Sequence, residues 1–215
     1  MDAPDPPHKD VRQHLDGDGA RSRHHHRRGP CRGSSSNAGE LGHTSVYLDG
    51  ERCFCGNRGC VERCAAHAAV MRSARSKADD LADLGLVFGD DTVAQNFDKL
   101  ARAAVGGHAV AEVFIARSAR YLAAAVVSFV NVLDVDRLVL AGPSIAVAGS
   151  VYARAVRDRL VESAVARQSH GVLVELATNP RDSAAIGAAA LVLQRSVAPG
   201  HGPRLVTPAA TLGTP

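Results

Sequence analysis

Apolar positions fall into helix and strand periods between residues 37 and 197, and outside those limits they do not. Residues 44–48 alternate as a short strand does, and residues 61–74 carry a helical spacing. Residues 77–91 mix charged and apolar side chains without a stable period and read as a connection. Thr92 is placed to cap a helix running to about Ala104, because a threonine oxygen can accept from free N–H groups of a first turn. Gly106 and Gly107 interrupt the chain. The longest helical signal follows, over 109–133, with apolar side chains recurring at Val113, Ala116, Leu122, Val126 and Val130. Its second half is apolar nearly all round, which predicts deep burial.

A short apolar run at 137–141, ended by Gly142 and Pro143, has the form of a buried strand. A helix is expected over 150–166, a second strand over 172–177, and a last helix over 182–195, begun by Asp182 as a capping acid. Strands alternating with helices predict an α/β domain. The turn at Gly142 then lies at the carboxyl end of a strand, where open α/β sheets receive ligands.

Residues 1–36 carry Asp, His, Arg, Gly and Pro with no period of either kind, and the expectation is a disordered tail. Residues 198–215 return to Pro and Gly and read the same way. Composition narrows the rest. The 215 residues suffice for a real core, and 46 % are apolar, with few aromatics and no tryptophan. A net charge of +3 gives no argument for a nucleic-acid partner. No uninterrupted run of about twenty apolar residues marks a membrane span, and the polar N-terminus does not resemble a signal peptide. The cytoplasm is therefore the expected compartment, where cysteines stay reduced or bind metal.

The chemistry concentrates between His43 and Glu62. Cys53, Cys55 and Cys60 are interleaved with Gly56 and Gly59, ten residues after His43. Zinc, a set of small buried thiols, and a disulfide are all possible for such cysteines. The spacing and the glycines favour zinc, with four protein ligands closing a structural tetrahedron. Cys31 and Cys64 lack the pattern. Glu40 and Glu62 bracket the cluster without a place in the ligand set.

These motifs, Glu40-Leu-Gly-His43 and then Cys53-Phe-Cys-Gly-Asn-Arg-Gly-Cys-Val-Glu62, closely resemble those of the ROK family of repressors, uncharacterised reading frames and sugar kinases. Residues 134–142 resemble its strand and glycine turn near the nucleotide, and residues 183–189 its C-terminal helix. The resemblance implies an actin-like (ribonuclease H-like) ATPase-type α/β fold with an inserted zinc-binding knuckle, represented here mostly by the C-terminal lobe. It also implies structural zinc on His43, Cys53, Cys55 and Cys60, and a sugar pocket lined by Glu40, His43 and Glu62. Carboxylates form strong charge-assisted bonds to sugar hydroxyls, and one imidazole nitrogen on zinc leaves the other to point an N–H at the ligand.

Kinases of this family carry an Asp-X-Gly-Gly-Thr phosphate loop and an Asn-Asp pair whose aspartate is the general base. Neither motif is present here, so no catalytic residue is assigned. Gly142 is the weak candidate for nucleotide contact, because the family's third glycine is Pro143, which has no N–H. The expectation is an N-terminally truncated member, with residues 1–31 read from another frame or a misplaced start. Two functions follow from the resemblance. One is the sugar-binding domain of a carbohydrate-responsive transcriptional regulator, taking a hexose or amino sugar. Such a regulator would reach DNA only through a region absent here, and its intact relatives form homo-oligomers. The alternative is a truncated sugar kinase requiring ATP and Mg²⁺. On either account these 215 residues are expected to show no kinase activity.

Overall fold

Parallel pairing organises the centre of the molecule. In the computed structural model, which describes residues 10–16, 19–26, 29–30, 33–35 and 37–197, strand β4 (Arg137–Ala141) pairs parallel with β5 (Leu173–Leu176) on one side. On its other side it pairs parallel with β1 (Asp10–Asp16), and β2 (Gly19–His26) and β3 (Gly29–Pro30) continue antiparallel. The order is β3-β2-β1-β4-β5. Strands β1 to β3 lie where no strand period was found, within the expected disordered tail. A backbone ladder needs no side-chain pattern, and β4 offers a free edge to any extended chain. The tail expected over 198–215 and Cys31 lie outside the described residues.

The six helices among the described residues are α1 (Val61–Ala65), α2 (His67–Ala74), α3 (Val93–Val105), α4 (Ala109–Leu133), α5 (Pro143–Ser163) and α6 (Ser183–Val197). Residues 1–183 and 184–215 form separate units, so nearly all of α6 belongs to the second. In the first, α5 is the crossover between β4 and β5 and packs on both. Helix α4 packs on α5, and α3 on α4 and α5. Phe97 and Leu100, Ile115, Leu122 and Val126, Leu138 and Leu140, and Tyr152 and Val156 fill one continuous core.

Several expected elements changed shape. Residues 44–48 form no strand; a 3-10 turn (Leu41–His43) precedes them, and they bond to the knuckle instead, Val46 N–H to the Gly59 carbonyl at 2.9 Å. The helix expected over 61–74 is two, because Ala66 is extended (φ −65°, ψ 159°). The connection 77–91 consists of 3-10 turns anchored by the buried Leu81. Thr92 holds the cap position of α3, but its hydroxyl faces the Val87 and Gly89 carbonyls and accepts from the Asn96 side chain of α3, not from a backbone N–H of the first turn. Helix α5 begins at Pro143, seven residues earlier than expected (143 against 150). Proline is well suited to a first helical position, and the apparent break comes from Ala148, whose φ of −119° kinks the helix.

Helix α4 has its expected limits, but its buried face differs. Phe114, Ile115, Ser118 and Ala119 are buried where Val113 and Ala116 were expected, and Val132 is 80 % exposed. By length and composition α4 also qualifies as a membrane span, yet 56 % of its most apolar window is buried inside the protein, as in a core helix.

Candidate functional site

The knuckle is a loop folded back on itself. Cys53 N–H donates to the Asn57 carbonyl at 2.8 Å, and Gly56 N–H returns to the Cys53 carbonyl at 3.0 Å. Arg52 bridges Arg58, and Ser45 bridges Cys60, so the strand-like segment before the loop is stitched to its far end. Gly59 makes this possible. Its φ is +55°, and a Cβ there would lie 1.7 Å from the Tyr47 carbonyl oxygen. Only glycine allows that approach.

This folding gathers His43, Cys53, Cys55 and Cys60, whose ligand atoms all lie within 4.8 Å of one another. Cys53 Sγ stands 3.6 Å from His43 Nδ1, and Cys55 Sγ 3.6 Å from Cys60 Sγ. Zinc holds sulfur at about 2.3 Å and nitrogen at about 2.0 Å, so tetrahedral ligands stand roughly 3.5–3.8 Å apart. The cluster therefore has the dimensions of a metal site. The same distances exclude a disulfide, and the cysteines are free. Burial pushes the Cys60 thiol up to about 12, so a thiolate there needs a cation beside it. At Cys55, a bond from the Asn57 backbone instead holds the thiol below its ordinary value.

The other side of His43 faces carboxylates. Its Nε2 lies 3.8 Å from Glu62 Oε2 and 4.0 Å from Glu40 Oε2. Glu62 is held by the first turn of α1, and Glu40 precedes the 3-10 turn that presents His43. All three expected sugar-contact residues thus converge. One imidazole nitrogen faces sulfur and the other faces oxygen, which is the arrangement that fixes a tautomer.

Gly142 stands apart from this cluster in chain and role. It caps α5 with φ +115°, and its N–H donates to the Pro180 carbonyl at 2.8 Å. Pro143 adds no donor, so the first two positions of this helix start offer an anion nothing. Cys64 is half-buried in α1, away from the metal-sized cluster, and burial raises its thiol.

Two features gave no signal in the sequence. Phe54, between two of the cysteines, is 79 % exposed and packs edge-on against the His43 ring at 4.9 Å. Glu51 joins Arg63 of α1 to Arg72 of α2, the latter at 2.9 Å. Both depend on the path of the loop, which periodicity does not report.

Residues 28–195, more than half of the chain, match the model of the ROK family. The chain belongs to the ROK family. This ROK chain is 31 % identical over 110 residues to NagC, a DNA-binding transcriptional dual regulator of Escherichia coli K12, covering 51 % of this chain and 26 % of NagC. It is 33 % identical over 113 residues to the kanosamine kinase of Amycolatopsis mediterranei, covering 53 % and 33 % of the two chains. It thus spans no more than a third of either curated relative.

Among solved structures, a ROK family transcriptional regulator homologous to the E. coli Mlc protein superposes with a TM-score of 0.74 at 22 % identity, covering 87 % of this chain and 46 % of that one. A ROK family glucokinase from Streptomyces griseus, in complex with glucose and AMPPNP, gives 0.72 at 24 % identity, covering 88 % and 62 %. These likenesses establish the fold as the actin-like α/β lobe of ROK proteins.

Proposed function

We propose that residues 37–197 are the sugar-binding part of a carbohydrate-responsive transcriptional regulator. The observation that carries this reading is the position of His43, between the cysteine cluster at Nδ1 and the Glu40 and Glu62 carboxylates at Nε2. Zinc on His43, Cys53, Cys55 and Cys60 fills all four positions with protein, leaving no place for a catalytic water. The ion is then a brace that orients His43. Glu40 and Glu62 accept from sugar hydroxyls while His43 Nε2–H donates, a set that suits a hexose or amino sugar.

Regulator is favoured over kinase by the turn at Gly142. A nucleotide site there needs backbone donors, and Gly142 N–H is already engaged while Pro143 has none. The similarity to NagC, Mlc and two xylose repressors points the same way. In this reading the protein acts in the cytoplasm as a homo-oligomer, and DNA is contacted through a helix-turn-helix that these residues do not supply.

The second reading is a sugar kinase that takes ATP and Mg²⁺, supported by the kanosamine kinase and glucokinase likenesses. Calorimetric titration with N-acetylglucosamine, glucose and xylose tests sugar binding, and Glu62→Gln is expected to weaken it at least about tenfold. Titration with an ATP analogue and Mg²⁺ separates the two readings. Nucleotide binding to these residues would overturn the first.

A further inference from the structure

A second concave site lies between the segment before the cysteines, α1, α2 and α4, and none of Glu40, His43 and Glu62 lines it. Its volume is about 300 Å³, at the lower end of the range for small-ligand sites. Glu51, Arg63 of α1, Arg72 of α2, and Arg117 and Tyr121 of α4 line it, over a floor that includes the buried Val70 and Phe114.

Three guanidinium groups meet one carboxylate here, which leaves a net +2 in a cleft with an apolar floor. Like charges gathered over such a floor attract anions more strongly than the same charges spread over an open surface. Glu51 answers part of that charge. Its Oε1 accepts from Arg63 Nη2 and its Oε2 from Arg72 Nη2, the latter at 2.9 Å. An arginine has five N–H donors, so both keep donors to spare. Arg63 Nε is buried and has no hydrogen-bond partner among the described residues. Arg117 pairs with no carboxylate there; its guanidinium lies over the Tyr121 ring, 5.8 Å from the centroid. A buried donor left unpaired is costly and calls for an acceptor.

We propose that this cleft binds a phosphate group, held by Arg117 and by the spare donors of Arg63 and Arg72. Guanidinium forks match phosphate oxygens in both charge and geometry. A carboxylate already spans two of the three arginines, so the folded chain holds an oxyanion at this place. A dianion answers the net +2 where a second carboxylate would answer half of it. The ligand is free phosphate or a small phosphate monoester. Because the arginines come from three helices, an anion shared among them ties α1 to α2 and α4. The proposal uses none of the three sugar-contact residues and stands apart from the sugar reading.

Glu51 separates a binding site from a mere brace. In a brace, Glu51 is the centre of the network and Arg117 is superfluous. In a binding site, Glu51 competes with the incoming anion, and Arg117 is the cation left for it.

Titration calorimetry of the whole 215-residue chain with inorganic phosphate and with glycerol 3-phosphate tests the proposal. Saturable binding of at least one probe is expected, weakening as salt is raised. Tighter binding of the ester identifies a monoester as the ligand, and equal or weaker binding of the ester identifies free phosphate; either result upholds the site. Arg117 is exposed on α4, so Arg117→Gln is expected to melt like wild type and to bind the same probe about tenfold more weakly. Arg117→Lys keeps the charge but not the fork, and its affinity is expected to fall between the two. Glu51→Gln is expected to bind the probe severalfold more tightly. Absence of saturable binding in wild type overturns the proposal, as does wild-type affinity in Arg117→Gln. Weaker binding in a Glu51→Gln chain that keeps its wild-type melt also overturns it; if that variant unfolds, Arg117→Gln decides alone.

Discussion

A Cβ on Gly59 would sit 1.7 Å from the carbonyl oxygen of Tyr47, so the whole knuckle closes over a single missing methyl. Gly59 also carries the carbonyl that receives Val46 N–H, and it donates its own N–H to the Glu51 carbonyl at 2.9 Å. Alanine there must either leave its left-handed backbone region or open those bonds. Gly59→Ala is expected to destabilise the chain by at least about 3 kcal/mol and to abolish metal binding. Thermal unfolding and metal analysis of the purified variant check both, and a native-like metal content would contradict the loop geometry.

Metal content itself is the second expectation. Four potential ligand atoms within 4.8 Å of one another lead us to expect about one zinc per chain. Cys55→Ser is expected to remove it, because serine is a poor zinc ligand at neutral pH. Since the ligands meet only in the folded loop, metal binding contributes folding free energy, and a chelator is expected to lower the unfolding temperature of wild type but not of Cys55→Ser. Elemental analysis finding no metal in wild type would remove the brace and leave His43 unoriented.

The third expectation concerns catalysis. Gly142 and Pro143 together present no backbone donor to a phosphate, and the sequence lacks both the phosphate loop and the aspartate base of family kinases. Purified chain with glucose or N-acetylglucosamine, ATP and Mg²⁺ is expected to form no sugar phosphate above the no-protein control. A coupled ADP assay checks this, and steady turnover would restore the kinase reading.

What could be read in advance follows the range of the interactions involved. Helix α4 and strand β4 were legible to the residue, because α4 is a long apolar run that opens after Gly106 and Gly107 and β4 a dense one ended by Gly142. The convergence of His43 with the three cysteines was legible too, since the cysteines lie within eight residues and need only a tight loop to meet. The strand expected over 44–48 was lost because its backbone partner is the knuckle, not another strand. Helix α5 was begun too late because Gly142, Pro143 and Gly149 look like punctuation, although proline is favoured at a first helical position. The bend at Ala66 has no local signature at all. It is imposed by contacts 53 residues away at Ser118 and, through His67, 77 away at Ser144.

The fourth expectation is a pH dependence at the edge of the sheet. His170 Nδ1 bonds the Gly171 carbonyl at 3.2 Å, and its Nε2 lies 3.2 Å from Asp134 Oδ1. The Gly171 carbonyl first and then the Asp134 carboxylate hold the His170 imidazole above its ordinary value. A raised histidine contributes stability that is fully present below the unfolded value, about 6.5, and is lost as pH rises through the folded one. The contribution is small because the pair is open to solvent. His170→Ala is therefore expected to lower the unfolding temperature slightly at pH 5.5 and to leave it at the wild-type value at pH 9. Asp134→Asn removes the carboxylate but not the Gly171 bond, so it is expected to show part of the same loss. Parallel melts of the three chains across that range provide the measurement. A difference between wild type and His170→Ala that grows with pH would mean that His170 is held neutral and that its bond to Asp134 does not form in solution.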